Sequence, residues 1–547
     1  MAAKNDAARW LFGLTRGRRG ALAAIIAASA VLASMGAAFA LLCRGIIDCA
    51  VARDGAGIAA HALILGGMVA AQVILQFISR GLTERVRAQT EMQLRSALLG
   101  RTLSAELAQV RRYHSGELLN RMFSDANICS AAVAELVPNA VSMGVRIVCA
   151  AAVMTVLQPW FAALFVAAGA AVFAVTRLLR TGLKGLHRRV QEKEGEVRSF
   201  MQEALESTAV IKAFGVQERV LARNDEAQRG HFSLRMKRRT LNIAAGAGFG
   251  LVFQAGYVLA LVWGAYGIFA GAMTYGTLAA VLQLVNQIQS PFAALSGLFP
   301  QYYAAAASAE RLMEIENLPQ EEAPRRTLRG EDFTELAVSG VSFSYGSREV
   351  ITRADFSLER GSVTALTGVS GGGKTTLFLL LLGAYRPQTG SIAFRAGGES
   401  YGAGQESRGI AAYVPQGNCL FSGTVRDNIS FMERSPDNAR IMEAARAACI
   451  EEFINALPQG LDTPLGENGT GLSEGQAQRI AIARALYSSA QLLLLDEATS
   501  ALDAQTESAV LQNIAEMRGK TVLIVTHRPA ALEICDKRLT LKDGVIE

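Results

Sequence analysis

The N-terminal half of the chain alternates between long apolar runs and basic polar segments. A membrane-spanning helix needs about 20 mostly apolar residues, and most of these runs are apolar on every helical face. We therefore predict six spans, at residues 21–42, 58–78, 137–157, 160–176, 243–270 and 275–297. A buried helix of a soluble protein is the weaker interpretation, because most of these long runs are apolar on all faces.

The basic residues lie on one side of the predicted spans. Four arginines precede the first span: Arg9, Arg16, Arg18 and Arg19. The segments between spans two and three and between spans four and five are also basic, whereas the opposite side has only short connections. Since cytoplasmic connections carry the excess of lysine and arginine, we expect a multi-pass protein of the bacterial inner (plasma) membrane with both termini in the cytoplasm.

The two long polar connections are predicted to be helical, because glycine and proline are sparse in them. As one helix, residues 58–105 would extend about 70 Å, against about 30 Å for the hydrocarbon core of a bilayer. Such helices project far into the cytoplasm. We expect their tips, at residues 106–117 and 206–218, to contact a cytoplasmic domain; a solvated helix surface is the alternative.

The pattern changes after residues 318–333, where Pro319, Pro324 and mixed charge indicate a linker. The region before it, residues 1–317, is the predicted membrane domain. In residues 334–547, period-two alternation gives way to the strand-length runs SVTALTG, LLLLD and TVLIVTH, separated by helical segments. This pattern is typical of an α/β domain with a mostly parallel sheet.

The stretch GVSGGGKTTL, at residues 368–377, follows one of these strands and precedes an apolar helix. Its glycines let backbone N–H groups close around phosphate oxygens at the positive end of a helix. Lys374 would supply charge to the β and γ phosphates, and the Thr375 hydroxyl suits Mg²⁺. The predicted phosphate-binding residues are Gly368, Val369, Ser370, Gly371, Gly372, Gly373, Lys374, Thr375 and Thr376.

A second signal is LLLLDEATSALD, in which Asp496 and Glu497 follow an apolar strand. An acid at the end of a strand holds Mg²⁺ through water, and the next carboxylate orients and polarises an attacking water. Adjacent acids at a solvated strand end are common. Asp496 and Glu497 therefore indicate a nucleotide site only in combination with the phosphate loop that precedes them. We predict ATP and Mg²⁺ as ligands.

With these residues in hand, the chain resembles an ABC transporter of the exporter type, a half-transporter whose six spans precede one ATP-binding cassette. The resemblance covers essentially the whole chain and implies an all-α six-helix transmembrane domain plus a cytoplasmic α/β P-loop ATPase. The segment GLSEGQAQRIAIARAL resembles the signature motif of that family. A helix beginning at Ser473 would offer N–H donors to a γ-phosphate.

The resemblance also assigns roles to individual residues. It implies that Tyr345 stacks on adenine, that Gln416 senses Mg²⁺ and the attacking water, and that His527 contacts the γ-phosphate. The implied nucleotide contacts from the signature and from the following SALD loop are Ser473, Gly475, Gln476 and Asp503. The catalytic set is then Glu497, His527 and Gln416, and the Mg²⁺ set is Thr375, Gln416 and Asp496.

The resemblance further implies that two cassettes face head to tail with ATP between them. One set of spans per chain then requires a second half-transporter, in a homodimer or a heterodimer. The signature departs from the family pattern at Glu474, where a glycine is usual, and at Ala477, where a basic residue is common. A carboxylate beside a triphosphate would repel it, so Glu474 puts in doubt the efficiency of the site that this signature completes.

Polar residues inside the spans suggest a substrate path. Gln283, Asn286, Gln287 and Ser290 share one helical stripe of the sixth span, and Arg146 lies near the middle of the third. Such residues line cavities or bond to neighbouring helices. The first interpretation gives a cavity lined by amides with one cation; the second gives ordinary interhelical contacts. Arg44 and Asp48, near the outer end of the first span, are spaced to pair.

Composition narrows the function classes. Hydrophobic residues make up 51% of the chain, mean hydropathy is +0.24 and net charge is +6, too small an excess to argue for nucleic-acid binding. The seven cysteines are scattered, which predicts neither a disulfide framework nor a zinc site. The N-terminus does not resemble a cleavable signal peptide, and no peptidase domain is expected before Arg9.

The leading hypothesis is ATP-driven export of a hydrophobic or amphipathic substrate, with membrane lipid and a second half-transporter as partners. Import of a metal–siderophore on the same architecture and an ATP-gated channel or regulatory receptor are the alternatives. A soluble ATPase acting on nucleic acid conflicts with the six predicted spans. Drugs, lipids, peptides and siderophores all remain open as substrates.

Overall fold

The computed structural model describes residues 2–324, 328, 333–417, 419–466, 469–517 and 519–547. Within its helices, the side chains of residues 2–5, of most of 164–188 and of a few positions between 242 and 299 and at 530 fall outside the description. The chain divides into two compact units, Met1–Gly100 with Ser115–Asn317 and Arg101–His114 with Leu318–Glu547.

Long helices build the first unit, as the apolar and basic pattern predicts. In chain order the helices are α1 Ala2–Gly13, α2 Arg19–Val51, α3 Gly55–Leu103, α4 Leu107–Val110, α5 Ser115–Asn120, α6 Ala126–Ala131, α7 Val137–Leu157, α8 Pro159–Glu206, α9 Thr208–Ala213, α10 Gln217–Phe269 and α11 Tyr275–Glu316. Helices α3, α8 and α10 have 49, 48 and 53 residues. Each is therefore about 70–80 Å long, which confirms the predicted long helices.

Four helical segments in the described part of the chain are long and apolar enough to cross a membrane: Arg16–Val51, Gly55–Leu103, Ser115–Leu157 and Gln217–Phe269. They contain the predicted spans 21–42, 58–78 and 137–157, and all but the last residue of the predicted span 243–270. Most of the predicted span 160–176, and part of 275–297, fall on side chains outside the described residues. The number of six spans therefore stays a prediction.

Small and aliphatic residues let the membrane helices approach one another closely. Helix α2 packs on α7 and α11, with Ala37, Met154 and Leu284 in their shared core. At the end of α2, Arg44 pairs with Asp48 at 3.4 Å, as their spacing predicts. The Asp48 carboxylate also accepts the backbone N–H of Gly276 at 3.1 Å, so it ties α2 to the start of α11.

Two buried charges join the helix after the first tip to the end of α11. Asp125, only 2% exposed, accepts hydrogen bonds from Arg311 Nε and Ser308 Oγ, both at 2.8 Å. Arg121 donates to Glu314 at 2.6 Å and to Glu117 at 2.7 Å. Because an unpaired buried charge is costly, these pairs hold the two helices together in this arrangement.

The second unit is an α/β domain. Its strands are β1 Phe333–Tyr345, β2 Arg348–Glu359, β3 Val363–Gly368, β4 Thr389–Ala396, β5 Glu399–Gly402, β6 Ala411–Val414, β7 Gly423–Thr424, β8 Pro464–Leu465, β9 Leu492–Asp496, β10 Thr521–Val525, β11 Lys537–Lys542 and β12 Val545–Ile546. Its helices, besides α4, are α12 Lys374–Leu381, α13 Val425–Ile429, α14 Asn438–Ala447, α15 Glu451–Ala456, α16 Glu474–Tyr487, α17 Ala504–Glu516 and α18 Pro529–Glu533.

A mostly parallel sheet forms the centre of this domain, as the buried-strand runs predict. Its strand order is β12-β11-β3-β10-β9-β6, and only β12 is antiparallel to its neighbour. One face packs on α16 and the helices around it. The other face packs on α12 and on an antiparallel sheet of order β2-β1-β4-β5. The carboxyl ends of β3 and β9 therefore lie at the same edge, where the phosphate loop and the two acids follow them.

The segment 101–114, which contains the first predicted tip, packs on this domain. Ala105 forms a β-bridge with Gln320, and Glu106 donates its backbone N–H to Pro319 at 3.0 Å. The Leu107 side chain packs against the core between the two sheets. These contacts confirm the predicted docking of the first tip. The second tip contains α9 and exposes Phe214 (77%), and its contact with a cytoplasmic domain stays a prediction.

Candidate nucleotide-binding site

The phosphate loop has the predicted strand–loop–helix context. It connects β3 to α12, and both elements are almost entirely buried. Gly373 has φ +102°, and a Cβ there would lie 2.6 Å from Val350 Cγ1. Gly368 has φ +151°, and its Cβ would lie 2.3 Å from the backbone oxygen of Leu541. Only glycine fits these two positions, so the backbone can form a cradle for phosphate oxygens.

Lys374 lies inside this loop. It is 6% exposed, and its Nζ donates to the backbone oxygens of Gly368 at 2.8 Å and of Val369 at 3.0 Å. The ammonium is held at the centre of the cradle by neutral acceptors. Phosphate oxygens are stronger acceptors for a charged donor than backbone carbonyls are, so this position suits a triphosphate.

Asp496 stands at the end of β9, opposite the start of α12. Its Oδ2 accepts a hydrogen bond from Thr375 Oγ1 at 2.7 Å and from the hydroxyl of Tyr413 at 3.3 Å. The carboxyl is 2% exposed, and burial raises its pKa. Thr375, Asp496 and the nearby Gln416 offer hard oxygen ligands, the type that Mg²⁺ prefers, so the residues fit that ion.

Glu497 has an unusual backbone. Its φ is +51°, in the left-handed region that a non-glycine residue rarely adopts, so its conformation is strained. Its half-buried carboxylate accepts a hydrogen bond from Gln416 Nε2 at 2.8 Å. The strand β6 and the loop after it thus hold both acids, since Tyr413 bonds Asp496 and Gln416 bonds Glu497.

Tyr345, the predicted adenine platform, belongs to a group of three rings. It lies edge-on to Phe343 and to Tyr385, with ring centroids 5.0 and 5.7 Å away. The Tyr345 side of the group is open, at 43% exposure, whereas Tyr385 is 4% exposed. The Tyr345 hydroxyl lies 3.4 Å from Thr376 Oγ1, so the ring is anchored beside the phosphate loop.

The signature helix begins as predicted. Ser473 caps α16: its Oγ accepts the N–H of Gln476 at 3.3 Å, and the Gln476 side chain accepts the N–H of Ser473 at 2.8 Å. A Cβ at Gly475 would lie 3.0 Å from the backbone oxygen of Ala501. Glu474 is exposed in the first turn, where the helix dipole favours an acid. Ala477 is buried in the core.

The SALD loop is held by residues that sequence reasoning missed. Gln478 donates to Ser500 Oγ and accepts the N–H of Ala501, both at 3.0 Å. Arg528 donates to the backbone oxygens of Ser500 at 2.6 Å and Leu502 at 2.8 Å. Both hold a loop that follows Glu497 directly in the chain. The only signals in sequence are that Gln478 lies in the signature helix and Arg528 beside His527.

Asp503 is the last residue of the SALD loop, and His527 is the residue before Arg528. Asp503 caps α17 by accepting the N–H of Thr506 at 2.9 Å, which lowers the pKa of its carboxyl. His527 follows β10 and has an exposed side chain. The structure brings together the phosphate loop, the two acids and Gln416, whereas Ser473 and Gln476 bond to each other rather than to the phosphate loop.

One of the predicted cavity residues bonds to a neighbouring helix, as the second interpretation of these residues expects. Gln287 Nε2 donates to the backbone oxygen of Gly36 in α2 at 2.6 Å, which is an interhelical contact. Asn286 and Ser290 are exposed, Gln283 is half-buried, and Arg146 is exposed on α7. The role of these residues in a substrate path stays a prediction.

Together, the fold and the site define a multi-pass membrane protein with a P-loop nucleotide-binding domain. Residues 22–292 match the family model for the ABC transporter transmembrane region, and residues 351–500 match the model for ABC transporter. The chain is 30% identical to an ATP-dependent lipid A-core flippase of Photobacterium profundum, over 86% of this chain and 81% of that protein. The chain therefore belongs to the ABC transporter family, a family of ATP-hydrolysing transporters.

Other similarities agree with this assignment. The chain is 30% identical over 92% of its length to the multidrug efflux ATP-binding/permease protein Rv0194 of Mycobacterium tuberculosis. It spans about half the length of several such relatives: 42% of that protein and 51% of ABC transporter B family member 1 of Dictyostelium discoideum. A solved bacterial Atm1-family ABC exporter with ATP bound has the same fold, with a TM-score of 0.80, 23% identity and coverage of 96% and 95% of the two chains.

Proposed function

We propose that the protein is half of an exporter that uses ATP hydrolysis to move a hydrophobic or amphipathic substrate out across the cell membrane. One observation carries the proposal: the segment that continues from α3 is bonded to the domain that carries the phosphate loop. Glu106 pairs with Arg386 at 3.5 Å, and Arg111 donates to Tyr385 at 3.2 Å. A change in that domain is therefore passed directly to a helix long enough to span the bilayer.

The proposed organisation follows the sequence pattern. Residues 1–317 form a domain of six spans, 318–333 a linker and 334–547 the cassette, with both termini cytoplasmic. Two chains, identical or not, enclose the substrate path. The names of similar proteins, a multidrug efflux protein and a lipid flippase, favour export over the siderophore import considered from the sequence.

ATP binding in this proposal rests on groups that the fold already holds in place. The purine stacks on Tyr345, and Lys374 exchanges its two backbone carbonyl contacts for β- and γ-phosphate oxygens. The start of α16 in the partner subunit completes the site, because its exposed N–H groups and helix dipole suit the γ-phosphate. ATP then joins two cassettes.

The hydrolytic roles belong to the acids and their partners. Glu497 orients the attacking water and accepts its proton, with Gln416 holding the carboxylate in place. His527, exposed at the end of β10, contacts the γ-phosphate. Thr375, Asp496 and Gln416 would hold Mg²⁺, which when bound would supply positive charge to the phosphoryl oxygens. Loss of the γ-phosphate removes the group that both cassettes share.

The direct test is uptake into inside-out membrane vesicles. Export predicts ATP-dependent accumulation of a labelled cargo inside them, and vesicles that carry Glu497→Gln should show none. Cargo leaving preloaded inside-out vesicles on ATP addition would instead support import. Ionic current in planar bilayers that persists without hydrolysis would support the ATP-gated channel.

The signature motif has Glu474 where a glycine is usual in the family, and this difference gives a separate prediction. Glu474→Gly should preserve or raise the ATPase rate, because it removes an exposed carboxylate from the helix start that faces the partner's nucleotide. The cost in helix stability is at most about 1 kcal/mol. ATP turnover of the purified chain in lipid measures this effect. A collapse in rate would show that Glu474 has a positive role.

A further inference from the structure

The ring group around Tyr345 has one deeply buried member, Tyr385. Tyr385 stacks on Phe343 with ring centroids 5.3 Å apart and an interplanar angle of 27°, and its edge meets Tyr345 at 5.7 Å. Tyr385 is 4% exposed, so its ring cannot shift without moving a neighbour. The orientation of Tyr345 therefore depends on where Tyr385 is held.

A residue of the segment 101–114 holds the Tyr385 side chain in place. Arg111 Nη1 donates a hydrogen bond to the Tyr385 hydroxyl at 3.2 Å, and its guanidinium carbon lies 5.9 Å from the ring centroid. The next residue in the chain, Arg386, pairs with Glu106 in the same segment. Two neighbouring cassette residues thus bond one short segment, and the first of them is the tyrosine that packs on Tyr345.

We propose that Arg111 and Tyr385 are positioning residues for the purine base of the nucleoside triphosphate, so that the segment connecting α3 to the cassette sets how Tyr345 meets the base. The inference rests on the proposed stacking of adenine on Tyr345. Binding linkage is reciprocal: whatever Arg111 contributes to base binding, base binding contributes to holding Arg111. The base, rather than the phosphates, is then the part of ATP that this segment senses.

Substitutions at Tyr385, Arg111 and Tyr345 test this proposal. Tyr385→Phe removes the hydroxyl but keeps the ring against Phe343 and Tyr345, and Arg111→Gln removes the charged donor. Arg112→Gln is the matched control, since Arg112 is the adjacent exposed arginine. Tyr345→Ala tests the base platform itself. Each is made in the full chain in lipid nanodiscs, and the affinities for ATP and for inorganic tripolyphosphate, which has no base, are measured by calorimetry.

We expect Tyr385→Phe and Arg111→Gln each to weaken ATP binding about threefold, the size expected from losing one partly buried hydrogen bond. The double variant should also lose about threefold, because both changes break the same contact. Tripolyphosphate affinity, kcat and the Arg112→Gln control should stay unchanged, so that only the KM for ATP rises. Arg111→Lys should recover part of the loss, because it restores a donor.

Two results would overturn the inference while leaving the proposed function standing. One is loss of ATP affinity in Tyr345→Ala with none in Tyr385→Phe or Arg111→Gln. The other is an equal loss for ATP and tripolyphosphate, which would mean that these residues act on the phosphate loop or on folding. Unchanged ATP affinity in Tyr345→Ala would instead remove the base platform, and the inference with it.

Discussion

Glu497→Gln is expected to keep ATP bound and to lower ATP turnover about 10²–10⁴-fold, the usual contribution of a general base. The carboxylate lies beside Asp496, on a strained backbone, and accepts a hydrogen bond from Gln416. An amide of the same shape keeps the packing and loses the ability to take a proton. Phosphate release and ATP binding are measured on the same purified sample in lipid.

Glu516→Gln is the matched control, because Glu516 also accepts a hydrogen bond from a glutamine, Gln512 at 3.1 Å, but lies at the far end of α17. Its turnover should equal that of the unmodified chain. Near-normal hydrolysis in Glu497→Gln would remove the assigned role of this acid. Loss of ATP binding in that variant would mean that the change disturbs the fold of the site.

Lys374→Ala is expected to weaken ATP binding itself, by about 10- to 100-fold, since a hydrogen bond to a charged group contributes about 1.5–3 kcal/mol. The lysine is buried at the centre of the phosphate loop and donates to two backbone oxygens there. Its removal leaves the cradle without its positive charge. Equilibrium binding of ATP to the purified chain measures the effect.

Because Lys374 is buried, Lys374→Met provides a second variant that keeps the apolar stem and loses only the charge. Both variants should bind ATP poorly and melt near the temperature of the unmodified chain. Lys542→Ala, at the exposed end of β11, should leave ATP affinity unchanged. Full ATP affinity in Lys374→Met would contradict the assignment of this loop.

The parts of the fold and of the site that could be predicted are those that short sequence patterns determine. The phosphate loop, the helix start at Ser473 and the long helices each follow from neighbouring residues: glycines before a lysine, a capping serine, and polar segments with little glycine or proline that continue the apolar runs. Each of these elements is present where the sequence places it. Strand β3 begins at Val363, within one residue of its predicted start.

The contacts that sequence reasoning missed join residues far apart in the chain. Arg111 and Tyr385 are 274 positions apart, and Asp125 and Arg311 are 186 apart. Tyr413 precedes Asp496 by 83 positions. A single sequence does not reveal such pairs, because the residues around one partner carry no signal of where the other partner lies in the chain. Gln287 likewise bonds the distant backbone of Gly36, 251 positions away.

We propose that two cassettes share ATP and that their closure is passed to the membrane helices. This proposal is tested most directly by an electron cryomicroscopy structure of Glu497→Gln in lipid nanodiscs with ATP and Mg²⁺. We expect paired chains, with each triphosphate in contact with Lys374 of one protomer and with Ser473 of the partner subunit. Separate cassettes, each holding ATP by its own phosphate loop alone, would contradict it.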